Sequence, residues 1–300
     1  MFKKFIRAFA PNPLDQILTH AQRKKQTKFL LAWNRGLGDL ALGLYAINHR
    51  IRDYIPNAEI TYLIRENLQD GFELLENVKV LVAPDWKRGE KTSVEKTLGD
   101  LKVDPKSFDV IIPDPDPSYW VKWQRGKLIP RLKWQEKWDA LHESFQLSDD
   151  YTYIAIQASA ETPYGLWRNW PMERVQQLIK EIEKHPKMKL ILLGFSKDPY
   201  FESPSVIDLR GKTNLFQLLS IIKNKVSSLI VPDSGILTFT YYLDVPFDIQ
   251  IISLWADSRH GILKQAVFSP NPNLVHRPVY GEHRNLSSVQ VKDVFKYLVS

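Results

Sequence analysis

The chain has no cysteine among its 300 residues. Disulfides and thiolate metal sites are therefore excluded, and a reducing compartment is compatible with the sequence. The 7 histidines fall at no spacing that builds a metal-ligand cluster. No apolar run approaches the roughly 20 residues that span a bilayer. Met1 to Ala10 (MFKKFIRAFA) is too short and too charged for the apolar region of a signal peptide. The expected location is the cytoplasm. No G-x-S-x-G nucleophile elbow occurs. Gly36-x-Gly38 lacks the third glycine of a dinucleotide fingerprint, the next being Gly43, which argues against a nicotinamide dehydrogenase. Low-complexity tracts and short-period repeats are also missing.

What is there describes a globular protein long enough for two domains, with 44% hydrophobic and 25% charged residues. The net charge of +7 is unevenly placed. Between residues 1 and 28, Lys3, Lys4, Arg7, Arg23, Lys24, Lys25 and Lys28 face a single acid, Asp15, so the rest of the chain is close to neutral. With Phe2, Phe5, Ile6 and Phe9, this basic arm suits the anionic inner face of a membrane, as a peripheral contact, or else packs as a solvated helix. No nucleic-acid fold motif accompanies it. The 9 Trp residues include a second mixed stretch, Tyr119 to Lys127 and on through Arg131, Lys133, Trp134, Lys137 and Trp138. It fits either an amphiphilic anionic partner or a helix whose Trp residues pack inward.

The pattern along the chain is α/β. Leu14 to Gln26 reads as a helix, Phe29 to Trp33 as a buried strand, and Asn34 to Asp39 as a glycine turn. A helix from Leu40 to Tyr54 and a strand from Glu59 to Ile64 complete a βαβ unit, which predicts a parallel sheet. Val78–Val82 and Asp109–Ile112 are further strands, with a charged helix and loop over 85–102 between them. Ser148-Asp149-Asp150 reads as a linker, giving domains 1–150 and 151–300. The second half repeats the plan, with strands at 151–157, 190–193, 206–209, 229–231 and 249–254. Its helices are expected at 170–184, 214–224 and 236–242, with a terminal one at 287–299. Val231-Pro232-Asp233-Ser234-Gly235 joins a strand to a helix. Its backbone N–H groups and helix start suit a diphosphate, although an Asp/Ser cap with a turn glycine is also common.

Four stretches together resemble the ADP-heptose:lipopolysaccharide heptosyltransferase family, glycosyltransferase family 9. They are Gly38-Asp39 at the first turn, Asn57 to Leu63 at the second strand, and Arg168-Asn169-Trp170-Pro171 at a helix opening. The last is Asp208 to Leu215 followed by Asp233-Ser234-Gly235. Their order and spacing fit over residues 28–258.

The resemblance implies a GT-B fold: two Rossmann-like domains with parallel sheets facing across a cleft. The first would bind the acceptor. The second would bind a nucleotide sugar and end in a helix that crosses back. The implied activity is inverting, metal-independent transfer of a heptose-like sugar, from ADP-heptose, to an anionic glycolipid such as the lipopolysaccharide inner core. No cofactor or metal is implied. Asp39 would be the general base. Arg168, Ser196, Asp233, Ser234, Gly235 and Thr238 would bind the donor, with Arg168 able to grip phosphate bidentately. Arg35, Gly38, Lys122, Arg125 and Lys127 would bind the acceptor. The sequence departs from the family at Thr238, where a His is usual, at Tyr45 for Pro, and at Trp255 to Ser258 for Gly-Pro-Thr. A different nucleotide sugar, or a member that binds without catalysis, therefore stays open. A metal-dependent GT-A enzyme is a third reading, since Asp114-Pro115-Asp116 mimics a D-x-D motif.

Overall fold

The computed structural model describes residues 12–160, 166–195 and 199–299. Ser196 and the arm residues 1–11 lie outside the described residues. The chain divides after Leu128 into two units, each a parallel sheet with helices.

In the first unit, α1 (Pro13–Arg23) starts where Asn12 caps it: the Asn12 side chain accepts from the Leu14 amide, and Pro13 supplies a preset first turn. Then come β1 (Lys28–Trp33), a π-helical turn (Leu40–Leu44), α2 (Tyr45–Tyr54), β2 (Glu59–Arg65), α3 (Gln69–Glu73), β3 (Val78–Ala83), α4 (Val94–Asp100) and β4 (Val110–Ile112). The sheet order is β3-β2-β1-β4, all parallel. After its first residue β1 is buried throughout, as a strand covered on both faces must be, which is why it reads as one apolar run.

The second unit contains β5 (Thr152–Ile156), α5 (Met172–Glu183), β6 (Met188–Leu192), β7 (Val206–Asp208), α6 (Leu215–Lys225), β8 (Val226–Pro232), α7 (Gly235–Tyr242), β9 (Ile249–Trp255), α8 (Gly261–Gln265), β10 (Leu274–Tyr280) and α9 (Val291–Phe295). Its sheet runs β10-β9-β8-β5-β6-β7, all parallel. Ile154, Ile156, Ile230 and Ile252 from the strands meet Leu178 and Ile182 of α5 and Val291 and Val294 of α9 in one core.

Four sequence expectations change. The helix expected from Leu40 opens instead as a π turn, with the Tyr45 amide bonded to the Leu40 carbonyl. The terminal helix expected over 287–299 is a short 3-10 turn, Leu286–Ser288, and then α9, which restarts at a capping box between Gln290 and Asp293. The aromatic and basic stretch splits between the units. Residues 136–145 form a 3-10 element that packs on α6, with Trp138 stacked on Phe216 at 4.1 Å and 12°. Ser220 Oγ donates to the Asp139 carbonyl (2.7 Å), and Lys223 pairs with the Asp139 carboxylate (2.7 Å). Trp134 and Trp138 are thus packing residues. Ser148 to Asp150, read as the linker, lies inside the second unit.

The strand β10 was not foreseen. It is an edge strand, and its alternating exposure and Pro278 hide it from an apolar-run search. It carries His276, whose Nε2 lies 2.6 Å from Ser253 Oγ on β9, and the Trp255 indole donates to the same oxygen (2.6 Å). The Ser253 hydroxyl thus joins the Trp255 indole and the His276 ring in one buried polar group. Burial pushes the His276 pKa down to about 4. Unfolded histidine titrates near 6.5, so below that pH the unfolded chain binds the extra proton. This stability is complete above about pH 6.5 and is lost as pH falls towards 4. Allowing for the partial exposure of the ring, the loss is on the order of 1–2 kcal/mol. Urea unfolding between pH 7 and 4 should show that slope, and His276→Gln should remove it.

Candidate functional site

In each sheet the first strand sits inside, and later strands are added on both sides. In the first unit the direction reverses between β1 and β4, and in the second between β5 and β8. Loops diverge at such a reversal, so the crevice beyond the strand ends is where α/β sheets bind ligands. Both reversals carry residues singled out from the sequence.

Beyond β1, the Asn34 side-chain amide donates to the carbonyls of Lys87 (3.3 Å) and Glu90 (2.8 Å), holding the loop after β3. Arg35 crosses to the loop after β4, where Nη2 meets Asp114 Oδ1 at 2.5 Å. Asp116 Oδ1 accepts from the amides of Ser118 and Tyr119, both at 2.9 Å. The two acids of the D-x-D stretch are therefore engaged separately, one by an arginine and one by its own turn. Among the described residues, no group of three His, Cys, Asp or Glu side chains could hold a metal ion.

Asp39 precedes the π turn without capping it through its side chain. A Cβ built on Gly36 would stand 3.6 Å from Asp39 Oδ2 and 3.7 Å from Arg88 Nη2, so carboxylate and guanidinium converge over this glycine. Arg65, at the end of β2, donates from Nη2 to the Arg35 carbonyl (3.1 Å). Its pKa is lowered by burial first and by the charge of Arg88 second. The π turn itself is pressed against the loop after β4. A Cβ on Gly43 would lie 2.2 Å from Pro117 Cβ, and Gln124 donates to the Leu42 carbonyl (2.9 Å). Lys122, Arg125 and Lys127 follow on this segment. Lys122 lies over Tyr119 (4.4 Å) and Arg125 reaches the Ser118 carbonyl (3.5 Å). Arg65 and Arg88 escaped the sequence reading, because nothing local distinguishes a cation at a strand end from any surface one.

Beyond β8, Ser234 is extended and caps α7 by accepting from the Leu237 amide (3.4 Å). Its hydroxyl donates to Gln157 Oε1 at 2.7 Å, joining the ends of β8 and β5 across the reversal. The cap takes the Leu237 amide, and the Gly235 and Ile236 amides at the first turn of this eight-residue helix have no intrahelical acceptor. Thr238 lies one turn further in, 1% exposed, with its hydroxyl donating to the Ser234 carbonyl (3.0 Å). Arg168 comes from the loop after β5. Its Nη1 lies 3.2 Å from Asp233 Oδ2 and 3.3 Å from the Asp233 carbonyl, and it stacks over Trp167 (4.8 Å). Arg168 Nε is buried without a hydrogen-bond partner. Burial raises the Asp233 pKa, with Arg168 and then His260 opposing it.

His260 carries no local signal in the sequence. The loop after β9 brings it 6.0 Å from the Trp167 ring and into the field of Asp233. Asp257, at the start of that loop, gathers Arg259 (2.5 Å), Arg284 (3.4 Å) and His260 (3.6 Å). The Arg259 hydrogen bond holds the Asp257 pKa down at about 2. Three of its members lie on this one loop, and Arg284 joins them from the loop after β10, which no local motif announces. Asp208 and Arg210 form a self-contained pair, with Arg210 bonding both carboxylate oxygens and the Pro199 carbonyl.

The loop can lie this close because residue 261 is glycine. Gly261 has φ +50°, and a Cβ there would fall 2.2 Å from Asp233 Oδ1 and 2.9 Å from the Trp255 ring. Gly261→Ala should lower stability by about 1–3 kcal/mol through the left-handed backbone and the displaced loop. Thermal unfolding of the variant checks this.

The comparisons with known proteins bear on this arrangement. No family model matches the chain, and no curated protein sequence does. Among solved structures it is similar to Escherichia coli ADP-heptose lipopolysaccharide heptosyltransferase II, with a TM-score of 0.65 at 15% identity over 91% of this chain and 98% of that one. A glycosyltransferase family 9 structure from Veillonella parvula gives 0.61 at 17% identity, covering 91% and 96%. The E. coli heptosyltransferase WaaC with ADP gives 0.53 at 12% identity, covering 91% and 99%. The chain has the fold of these transferases, two parallel α/β units in the GT-B manner.

Proposed function

We propose that this protein is a glycosyltransferase moving a heptose-like sugar from a nucleotide diphosphate donor, ADP-heptose, to an anionic glycolipid such as the lipopolysaccharide inner core. The observation that carries the reading is the turn after β8. Gln157 and Ser234 close the β5/β8 reversal, α7 presents its first amides, and Arg168 stands beside them. Backbone donors at a helix start with one arginine fit a diphosphate. The fold, shared with a heptosyltransferase solved with ADP, supports the adenine form of the donor.

In this reading the second unit holds the donor. The Ser234–Gly235 backbone and Arg168 bind the diphosphate. The charge that builds on it as the sugar leaves is stabilised by Arg168, a fixed cation in the place a divalent ion takes in other transferases. Thr238 braces the turn from within. Asp233 holds Arg168 in place. The first unit holds the acceptor, whose anionic groups meet Arg35, Arg65 and Arg88 around the Gly36 turn. Asp39 takes the proton from the acceptor hydroxyl. That oxygen bonds to the anomeric carbon as its bond to the phosphate breaks, and one direct displacement inverts the carbon.

Adding ADP at about 100 times its Kd should stabilise the chain by roughly 2.7 kcal/mol, without magnesium, and Arg168→Ala should weaken the effect. In donor turnover, Asp39→Asn should lower kcat by about 10²–10⁴ while leaving donor KM near wild type. No response to ADP, GDP, UDP or CMP would sink the proposal, and a response to one of the other three would change the donor. A second reading, nucleotide binding without transfer, is favoured by the closed Thr238 hydroxyl. Donor binding with no turnover, and no effect of Asp39→Asn, would support it.

A further inference from the structure

The loop after β9 and the turn after β10 bring two guanidiniums to one carboxylate. Arg259 grips Asp257 through Nε on Oδ1 (2.8 Å) and Nη2 on Oδ2 (2.5 Å), and Arg284 Nε stands 3.4 Å from the same Oδ2. Two cations thus share one negative charge. Their side chains are nonetheless 66% and 64% exposed. Among the described residues, neither Nη of Arg284 has a hydrogen-bond partner, and Glu282 on the same turn pairs with neither arginine.

Arginine is a poor choice for position 284 on local grounds. The Asn285 amide donates to the Glu282 carbonyl (2.8 Å), closing a turn over His283 at φ +48° and Arg284 at φ +59°. A two-residue turn with both φ positive favours Asn and Gly, and long side chains there are strained. The turn is firmly built all the same. The Gly281 amide donates to the Trp255 carbonyl at the end of β9 (2.8 Å), the Glu282 amide donates to Ser288 Oγ (2.7 Å), and a Cβ on Gly281 would lie 2.3 Å from the Asn285 carbonyl oxygen. An ion pair as exposed as Arg284–Asp257 does not offset that strain, which points to a use for the guanidinium beyond stability. The two arginines also adjoin the turn after β8. Gly261, two residues after Arg259, is pressed on Asp233 Oδ1, and Asp233 Oδ2 meets Arg168 at 3.2 Å.

We propose that Arg259 and Arg284, gathered on Asp257, form a second oxyanion subsite beside the diphosphate turn, for a phosphate or carboxylate group of the acceptor. Guanidinium forks suit both groups, and Asp257 fixes the two forks without neutralising them. The subsite rests on the geometry alone. Its assignment to the acceptor rests on the transferase reading. There the donor's phosphates lie on the Ser234–Gly235 backbone and Arg168, and the heptose is neutral, so the remaining anion is the acceptor's. The acceptor hydroxyl must reach the anomeric carbon next to that diphosphate, which brings the acceptor to the neighbourhood of these two arginines.

Calorimetric titration of the full chain with inorganic phosphate and with acetate, with and without saturating ADP, tests the subsite. One of the two anions should bind without displacing ADP, and the tighter one identifies the group. Arg259→Gln and Arg284→Gln should each weaken that binding about tenfold or more, whereas Arg168→Ala should leave it in place. Arg284→Gly should abolish it and yet raise Tm by roughly a few degrees, because glycine relieves the left-handed backbone. In transfer to the lipopolysaccharide inner core, the Arg259→Gln, Arg284→Gln pair should raise acceptor KM about tenfold or more and leave donor KM unchanged. Binding of neither anion, binding only in competition with ADP, or a lowered Tm for Arg284→Gly overturns the subsite. A raised donor KM with acceptor KM unchanged overturns its assignment to the acceptor. Anion binding that Arg284→Gln weakens, in a protein that binds no nucleotide and transfers no sugar, keeps the subsite and sinks the transferase reading alone.

Discussion

A carboxylate nearly removed from water sets the terms for the second unit. Asp233 stands at the end of a central strand, where burial raises its pKa. Its ionised form persists only with a cation alongside, since an unpaired buried charge is far costlier than a paired one. Arg168 supplies that cation, 65 residues earlier in the chain. To reach Asp233, the loop after β5 must fold across the end of β8, and Gly261 must leave room for the loop after β9. The crevice is thus assembled around a local electrostatic debt. Held against a carboxylate and a backbone carbonyl, the Arg168 guanidinium has one fixed place beside the turn after β8.

The first unit reaches a similar layout by sterics more than by charge. The Arg35–Asp114 pair is half or more exposed on both sides, and such a pair adds little to stability. Its effect is to register the loop after β1 against the loop after β4. What places Asp39 is the π turn, with Gly43 set so tightly on Pro117 that a methyl group has no room. A π turn at a helix start is a strained way to begin, and such irregularities gather at functional positions. Here it leaves the Asp39 carboxylate out of the capping role and beside Arg88 and Gly36.

Much of the fold was legible in the sequence, for a plain reason. Strands covered on both faces are apolar over most of their length, so β1, β2, β8 and β9 each stand out by a short apolar run. The strand β10 is covered differently, alternates in burial and contains a proline, so the same search passes over it. The charged stretch over 85–102 holds only the short α4, which begins where Ser93 accepts from the Lys96 amide. The Trp-rich stretch read as one segment, either an amphiphilic surface or a helix with inward-packed indoles. It is two: Trp123 is packed under Arg50 in the first unit, and Trp138 is stacked on Phe216 in the second. Composition cannot separate a packed indole from an exposed one, because both kinds sit among lysines.

The sequence by itself determined the parallel α/β plan, the glycine turn after β1 and the Asp-Ser-Gly turn after β8. Each depends on local rules: burial periodicity, backbone freedom and capping chemistry within a few residues. Only the tertiary structure decided which side chains meet at those turns. Arg65 and Arg88 converge on Gly36, Gln157 closes on Ser234, and His260 arrives beside Asp233 from a loop with no motif of its own. Those meetings depend on strand order, and strand order follows from how whole apolar faces pack, not from any short stretch of chain.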